Sequence, residues 1–506
     1  MQKVLHIVAK SRTLFIYCYI FAMTAVTVPF LHYYTGSITK VLLVWAALIC
    51  CVDIVQRRDI TKVFGGKILL AFIACSVITI IVNHRLNLIE NLKNFAYSLV
   101  LLLIVFTDYY GKSRERCELD FEHYNRFFCM ITCIASAISL VMFSLRYTVV
   151  FNQYRIGFYL GRLWGVYVSP NAGGITATIS IILSLVSIFS LIHQNIKAKR
   201  TWQFFYWFNI IIEFVYISLT DSYGTFVSCI IGSAIVGFMV AKFILCRKYT
   251  FCFWKKYLLV FLYVLIFPFL CFSLLKGIAK VVSYLPSIVY VVQDRSETNK
   301  SESVIPSDIT SNGNQEKEPL PESSSSKQAI SQSSKPANES KPLRLWSEKT
   351  ERQYEDDPGG SGRITLWRVG LRILKQKPVW GVGQANILDY AQQNSYGLNQ
   401  NIVARTASGM HNIYLQVAVS NGLIGAILFL SFFAYGFVDF VRDIKKGKYS
   451  ISIIDILLFG LIALMLANNM VEATVYMCQS GITVMFWLVL GYFVGIRKAG
   501  LIGNTL

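Results

Sequence analysis

The sequence predicts an all-α, polytopic helical membrane protein with about twelve transmembrane helices and a large external loop before the tenth. Apolar residues make up 55% of the 506 residues, aromatic residues make up 14%, and the mean hydropathy is +0.51. A soluble domain of this size carries more charge and fewer aromatic residues. Apolar runs of about 20 residues recur along the chain, and each is long enough to cross the hydrocarbon core of a bilayer. The sequence lacks the short alternating strands that would indicate a β-barrel.

Twelve apolar runs are predicted as spans from their length and hydropathy. They cover residues 13–33, 38–55, 67–82, 95–107, 127–145, 174–193, 204–219, 225–246, 258–275, 411–438, 451–470 and 481–496. The first run follows a basic start, as a signal peptide does. It is too long for one and has no clean small-residue cleavage site, so we interpret it as a helix.

The basic residues predict how the spans are oriented. The net charge of +20 could suggest a nucleic-acid partner, but most Lys and Arg residues occupy short loops between the apolar runs. These loops fall on one side, which is the cytoplasm by the positive-inside rule, and both termini are predicted to lie there. The twelve Cys residues lie in apolar runs or in loops of that side, and no CxxC or His/Cys cluster indicates a metal site.

Composition divides the chain into three predicted parts. Residues 1–275 form an N-terminal transmembrane bundle, and residues 359–506 form a C-terminal part with an external helix and the last three spans. Between them, residues 276–358 form an external, mostly disordered insert. Its middle is rich in Ser, Glu, Lys, Asn, Gln and Pro, and such a segment buries too little apolar surface to offset the entropy of ordering.

An external segment between the fifth and sixth predicted spans contains the first candidate site residues. Arg155 and Arg162 stand among aromatic residues, just ahead of Pro170 and Asn171. Interfacial Arg residues often contact lipid headgroups, and that interpretation stays open for both. Arg162 is the stronger candidate, because the Pro-Asn break exposes backbone groups that need a cavity at membrane depth.

The segment 359–423 contains the second group of candidates. Ser361 can cap a helix that starts near Arg363, and Pro378 and Gly381 end it. Four apolar residues share one stripe at helical spacing: Ile364, Trp367, Leu371 and Leu374.

Basic residues flank this predicted stripe on both sides. Arg368 and Arg372 lie on one side, where contact with anionic lipid is the alternative to a role in binding substrate. Arg363 lies on the other side and is the better functional candidate.

His411 and Asn412 stand at the start of a long apolar run. The positive end of a helix favours the neutral imidazole, and a neutral imidazole on the outer face can serve as a general base. The alternative is a hydrogen-bonded structural histidine.

Together these residue types suit one chemistry. Guanidinium groups bind a diphosphate in a bidentate manner and stabilise its charge as it leaves. A base beside them can activate a sugar hydroxyl. Because two Arg residues can stabilise the charge, the predicted reaction requires no metal or other cofactor. A lipid-diphosphate sugar donor fits this set.

Three motifs resemble those of the superfamily of O-antigen ligases and O-antigen polymerases. They are SGRITLWRVGLRILKQKPVWGVG, MHNIYLQVAVSNGLIG and GRLWGVYVSPNAGG. The resemblance implies that outer-face Arg residues engage undecaprenyl diphosphate and that a His assists attack by the acceptor. By motif position these catalytic roles fall on Arg162, Arg363 and His411. The predicted substrate-binding residues are Arg155, Asn171, Arg368, Arg372 and Asn412.

One position departs from the family pattern. The family often has Ser-Arg-Gly at the start of the eighth span, whereas this chain reads Asp221-Ser222-Tyr223-Gly224. Any role of that Arg is absent here, or Arg155 or another external residue performs it.

The resemblance implies a membrane glycosyltransferase on the outer face of the cytoplasmic membrane. It moves an undecaprenyl-diphosphate-linked glycan to a sugar hydroxyl of an acceptor glycan. The Ser-rich insert and Lys-rich loops are typical of Gram-positive surface proteins and favour a polysaccharide polymerase, working alongside other assembly proteins of the membrane. A ligase that attaches the finished glycan is the alternative. A twelve-span transporter and a polyprenyl-phosphate glycosyltransferase with an acidic base also stay open.

Overall fold

The computed structural model describes residues 2–56, 59–151, 154–159, 161–193, 200–240, 253–284, 362–398, 400–446 and 451–503. Fifteen α-helices and one small sheet lie in this part of the chain. The first six helices are α1 (Gln2–Val26), α2 (Pro29–Val55), α3 (Gly66–Val82), α4 (Leu88–Leu99), α5 (Arg114–Ser144) and α6 (Pro170–His193). Three more precede the insert: α7 (Arg200–Thr220), α8 (Tyr223–Met239) and α9 (Phe253–Val282).

The remaining six helices follow the insert. Three of them are short: α10 (Arg363–Gln376), α11 (Ile387–Gln393) and α12 (Gln400–Ala404). The last three are α13 (Ile413–Lys445), α14 (Ile453–Asn468) and α15 (Gly481–Gly503). Most of the insert predicted at 276–358 lies outside the described residues.

The predicted fold class is confirmed. Seven helices of the described part are long and apolar enough to cross a membrane, and three shorter helices are also apolar. The other two predicted spans correspond to α1 and α9. Helix α4 reaches span length because it continues through a π-helical turn, Val100–Val105, and a 3-10 turn, Phe106–Tyr109.

Helix boundaries differ from the predicted span boundaries at several places, among them the first and the ninth span. The first predicted span, 13–33, crosses the break between α1 and α2 at Thr27 and Val28. Pro29 begins α2 because its fixed φ and missing N–H suit the first turn of a helix. The ninth span was predicted to end at Leu275, but α9 continues to Val282, so Lys276 is helical.

A three-stranded antiparallel sheet was not predicted. It consists of β1 (Thr148–Phe151), β2 (Tyr154–Tyr159) and β3 (Arg162–Gly165), in that order. The run of β-branched and aromatic residues in this segment is typical of strands and was a signal in the sequence. The sheet places Arg162 at the start of β3, eight residues before α6.

Helix α10 begins at Arg363, as predicted, but buries a different face from the predicted one. Leu366, Val369 and Ile373 are fully buried, whereas Leu371 of the predicted stripe is 51% exposed. The reason is close packing on α13, which Gly370 permits on the buried side. The predicted cap residue, Ser361, lies outside the described residues.

Helix α13 is broken at Gly422, where the segment 378–383 inserts its backbone. Gly422 has φ of 71° and ψ of −177°, and the helix continues on both sides. Only glycine adopts such a φ readily, and a Cβ here would lie 2.0 Å from the carbonyl oxygen of Val379. The backbone conformation and the inserted segment therefore both require a glycine.

The inserted segment supplies hydrogen bonds that the broken helix loses. The Val382 amide donates to the Val419 carbonyl at 3.0 Å, and the Leu423 amide donates to the Pro378 carbonyl at 2.7 Å. The side chains of Thr79, in α3, and of Asn83, directly after α3, donate to two further carbonyls of the segment. Backbone groups inside a membrane protein need such partners, and this explains the Pro-x-x-Gly-x-Gly sequence at 378–383.

The helix ends define two faces of the bundle. We call the face where α6, α8, α13 and α15 begin, and where α7 and α14 end, the site face. On the opposite face, ion pairs join the helices, among them Arg12 with Asp108 and Arg497 with Asp439. Helix α15 crosses between the two faces at the centre, and nearly every residue from Ile482 to Val494 is buried.

Candidate active site

Glu472 is the centre of a polar cluster on the site face. It lies in the loop between α14 and α15. Its Oε1 accepts hydrogen bonds from Nη2 of Arg363 at 2.5 Å and from Nδ2 of Asn171 at 3.1 Å. Its Oε2 lies 2.9 Å from Nδ1 of His411. Three of the predicted site residues, drawn from three separate parts of the chain, therefore meet at one carboxylate.

The cluster keeps Glu472 ionised. Burial by itself would raise the pKa of this carboxyl. The hydrogen bond and charge of His411, the charge of Arg363 and the Asn171 amide outweigh burial, so the pKa lies below its ordinary value of 4.5. An ionised carboxylate accepts hydrogen bonds and donates none.

The contact with this carboxylate selects one tautomer of the His411 imidazole. Because Glu472 only accepts, Nδ1 of His411 must carry the hydrogen of the 2.9 Å contact. In the neutral imidazole the lone pair then lies on Nε2, the ring nitrogen that points away from the carboxylate. A carboxylate that fixes the tautomer and orientation of a catalytic His in this way is the arrangement of a His–carboxylate dyad.

The backbone around His411 is held in an unfavourable conformation. Its φ is 47°, in the left-handed region that residues with a Cβ rarely adopt. The indole of Trp367 donates to the carbonyl of Met410, and the carboxamide of Gln416 accepts the Met410 amide. On the other side Asn412 caps α13 by accepting from the Leu415 amide at 3.0 Å. Such strain persists only where neighbouring contacts impose it, and it is common at functional sites.

Arg162 joins the cluster through Asn171. Its Nη2 donates to Oδ1 of Asn171 at 3.0 Å, and its Nε donates to the carbonyl of Thr220 at 2.9 Å. The hydroxyl of Ser222 also donates to Oδ1 of Asn171, at 3.0 Å. These bonds fix the Asn171 amide so that its nitrogen faces Glu472. A continuous chain of hydrogen bonds therefore links Arg162 to His411.

A further cation, Lys276, approaches the site face from α9. Its Nζ lies 2.9 Å from Oδ1 of Asp221. Asp221 has a left-handed φ of 46° and directly precedes Ser222. A cation therefore lies beside the start of α8, although it comes from α9.

The other predicted residues lie away from Glu472. The guanidinium of Arg155 stacks on Tyr159, with 3.9 Å to the ring centroid. Arg368 is exposed on α10. Arg372 donates to the carbonyls of Asn394 and Tyr396. The contacts of these three residues, as far as the structure describes the chain, do not reach the cluster, and a substrate-binding role for them stays a prediction.

Glu472 and Lys276 were missed by the sequence reasoning. Paired acidic residues in a loop are a recognisable signal for acid–base chemistry, whereas a single Glu is not. One signal was available, since Glu472 is the one acidic residue between the last two predicted spans. Lys276 was assigned to the insert because the ninth span was predicted to end one residue earlier.

An apolar cavity of about 360 Å³ opens beside this cluster. Asp221, Ser222 and Lys276 lie at its polar end, and apolar side chains of α6–α9 and α14 line the rest, including Phe226 and Leu464. No group of three or more His, Cys, Asp or Glu residues close enough to hold a metal ion occurs in the described part of the chain.

Comparison with known families gives one match. Residues 208–430 match the family described as O-antigen ligase. This segment of the chain is similar to an O-antigen ligase domain. This family consists of membrane glycosyltransferases of the ligase and polymerase type, which use a lipid-linked glycan donor and a glycan acceptor. A search of curated proteins finds no match to the chain.

The O-antigen ligase match includes only part of the cluster. Arg363 and His411 lie inside residues 208–430, whereas Arg162, Asn171 and Glu472 lie outside. The fold therefore adds residues from before and after the matched segment to the site. The resemblance inferred from the sequence motifs is confirmed at the level of the ligase and polymerase superfamily.

Proposed function

We propose that this protein transfers a glycan from undecaprenyl diphosphate to a sugar hydroxyl and that His411 is the general base. The observation that carries the proposal is the contact of His411 with Glu472, which also binds Arg363. The imidazole and the guanidinium each lie within hydrogen-bonding distance of this one carboxylate, next to the start of α13.

The proposed reaction is a single displacement at the anomeric carbon of the donor. The acceptor oxygen forms a bond to this carbon while the bond to the diphosphate oxygen breaks, and the diphosphate leaves with the electron pair. The proton of the acceptor hydroxyl goes to Nε2 of His411. Glu472 stabilises the imidazolium that forms, as the carboxylate of a His–carboxylate dyad does.

Positive charge supports binding of the leaving diphosphate. Arg162 and Arg363 are joined through Asn171 and Glu472, and Lys276 stands near Asp221. Guanidinium groups bind phosphate oxygens through paired N–H donors, and charge that develops on the leaving group is stabilised where these donors are already fixed. In this proposal Lys276 takes the place of the Arg of the family pattern, and the reaction needs no metal.

The apolar cavity supports a lipid-linked donor. An apolar wall with a polar end suits a polyprenyl chain that carries a charged head. The polar end contains Ser222, which donates to the same Asn171 that holds Arg162. We assign the first isoprene units of the donor to this cavity and the diphosphate to the cluster beside it.

The orientation and the choice of acceptor remain part of the proposal. We place the site face outside the cytoplasm, because the Lys- and Arg-rich loops belong to the opposite face. We favour a polymerase over a ligase on the composition of the insert at 276–358, which lies mostly outside the described residues. Residues 1–275 and 359–506 remain the proposed membrane parts of the chain.

The direct test is transfer by the purified protein. The protein is supplied with undecaprenyl-diphosphate-linked glycan extracted from cells that produce it, and products are separated by size. A ladder of lipid-linked products indicates a polymerase. A single addition to a different acceptor indicates a ligase. Intact donor under all conditions, with a correctly folded protein, contradicts the proposal, and proton-linked solute uptake would support the transporter alternative.

A further inference from the structure

A second cavity, of about 610 Å³, opens on the site face. We call it the amide-lined cavity, because five carboxamide side chains line it: Asn87, Asn94, Gln384, Gln416 and Gln479. Asp389 belongs to the same lining. These residues come from α4, α11, α13 and the loops beside them. The volume falls in the range of about 300–1,000 Å³ that small-molecule sites occupy.

The amide-lined cavity borders the candidate active site. Ala473, which lines it, directly follows Glu472, and Gly409 lies two residues before His411. Gln416 lines the cavity and also accepts the amide of Met410, so it touches the segment that holds His411. The apolar cavity and the amide-lined cavity share no lining residue. The apolar cavity borders the cluster at Ser222, which donates to Asn171.

The chemistry of the lining differs from that of the diphosphate cluster. Carboxamides both donate and accept hydrogen bonds, as sugar hydroxyls do, and Tyr19 and Tyr97 add aromatic surface. The described lining residues include Asp389 and Glu90, which pairs with Lys93 at 3.0 Å, but no Lys or Arg. Such a lining suits an uncharged polyol and disfavours an anion by like-charge repulsion.

Two of the amides have no partner among the described residues. The side chains of Asn94 and Gln479 are half-buried and make no hydrogen bond within that part of the chain. Half-buried amides that the surrounding side chains leave unbonded are suited to contact a ligand. Close to Gln479, Met477 has a left-handed φ of 56°, and its carbonyl accepts from Gln384 at 2.7 Å. A strained residue in a cavity wall is a further mark of a functional site.

We propose that the amide-lined cavity binds the terminal sugar of the acceptor glycan and that this sugar is uncharged. The inference rests on the proposed function. The acceptor reaches His411 from the amide-lined cavity, while the donor lipid lies in the apolar cavity. Asn94 and Gln479 are specificity-determining residues that bind hydroxyl or acetamido groups of the acceptor.

The test compares steady-state kinetics of Asn94→Ala and Gln479→Ala with those of the wild type. The donor is the extracted undecaprenyl-diphosphate-linked glycan at saturation, and the varied acceptors are octyl glycosides. Each substitution should raise the acceptor KM about three- to tenfold, the effect of one hydrogen bond, and leave kcat and the donor KM unchanged. Gln393→Ala is the matched control, because this exposed amide lies on α11 outside the cavity.

The second part of the experiment varies the charge of the acceptor sugar. Octyl glycosides of neutral hexoses or N-acetylhexosamines should be accepted, and uronic acids of the same size should be used at least tenfold less well. If the wild type transfers sugar but the two variants keep its acceptor KM, or uronic acids are used equally well, the inference fails alone. If the wild type transfers no sugar from the extracted donor, the proposed function has failed.

Discussion

Nδ1 of His411 lies 2.9 Å from Oε2 of Glu472, although the two residues are 61 positions apart in the chain. The contact joins the start of α13 to the loop that precedes α15. It fixes the imidazole tautomer and makes Nε2 the acceptor of a proton. The proposed catalysis depends on this pair.

Glu472→Gln should lower transfer on the order of 10²–10⁴-fold, because the amide keeps the shape but no longer fixes the tautomer or stabilises the imidazolium. Donor binding should change little. Glu115→Gln, at an exposed carboxylate in the first turn of α5 that lines neither cavity, is the control for loss of an acidic side chain. Equal kcat values in Glu472→Gln and the wild type would contradict the dyad.

Glu472 contributes to the stability of the folded protein, and the pH dependence of this contribution follows from its lowered pKa. Because the folded-state pKa lies below 4.5, the stabilisation of the cluster is fully present above 4.5. It is lost only as the pH falls through the lower folded-state value. The melting temperatures of the wild type and of Glu472→Gln should therefore differ by an amount that shrinks only below pH 4.5. A difference that already shrinks between pH 6 and pH 5 would contradict the assigned charge state.

Arg363→Lys should reduce kcat by about tenfold or more, although the charge is kept. An ammonium cannot reproduce the planar fork of N–H donors that contacts Glu472 and, in the proposal, the diphosphate. Lys375→Arg, at a position in the last turn of the same helix, controls for changes in basic residues on α10. Rates of donor cleavage in single-turnover experiments are the appropriate measurement.

The sequence predicted the spans, whereas contacts between distant segments determined the rest. Hydropathy is a local property of the sequence, so the twelve apolar runs could be predicted from it. The start of α10 at Arg363 could be predicted from the local helical pattern in the same way. The break at Gly422 depends on a segment about 40 residues earlier in the chain. Glu472 becomes recognisable only when Asn171, Arg363 and His411 surround it. The motifs include Asn171, Arg363 and His411 but not the carboxylate that all three contact.

Gly422→Ala should destabilise the protein by about 1–3 kcal/mol from the left-handed φ alone. The added methyl group would also push the inserted segment away, since its Cβ would lie 2.0 Å from the Val379 carbonyl oxygen. Thermal unfolding in detergent measures the effect. Gly36→Ala is the control, because no atom lies within 4 Å of its added Cβ. An unchanged melting temperature for Gly422→Ala would contradict the broken helix.

The proposed orientation predicts which cysteines react from outside the cell. Tyr396, between α11 and α12 on the site face, is 94% exposed, and Lys446, just after α13, is exposed on the opposite face. Tyr396→Cys should react with a membrane-impermeant maleimide in intact cells. Lys446→Cys should react only after permeabilisation, with the native cysteines as the background. Labelling in the reverse order would place the site in the cytoplasm.

His411→Ala provides the most direct test of the central claim. Single-turnover transfer and donor binding are measured on the same folded preparation, with His84→Ala, at an exposed histidine, as the control. We predict that His411→Ala binds the undecaprenyl-diphosphate glycan as the wild type does but transfers it about 10²–10⁴-fold more slowly. Added imidazole should restore part of the rate. Transfer at the wild-type rate by His411→Ala would contradict the assignment of the base.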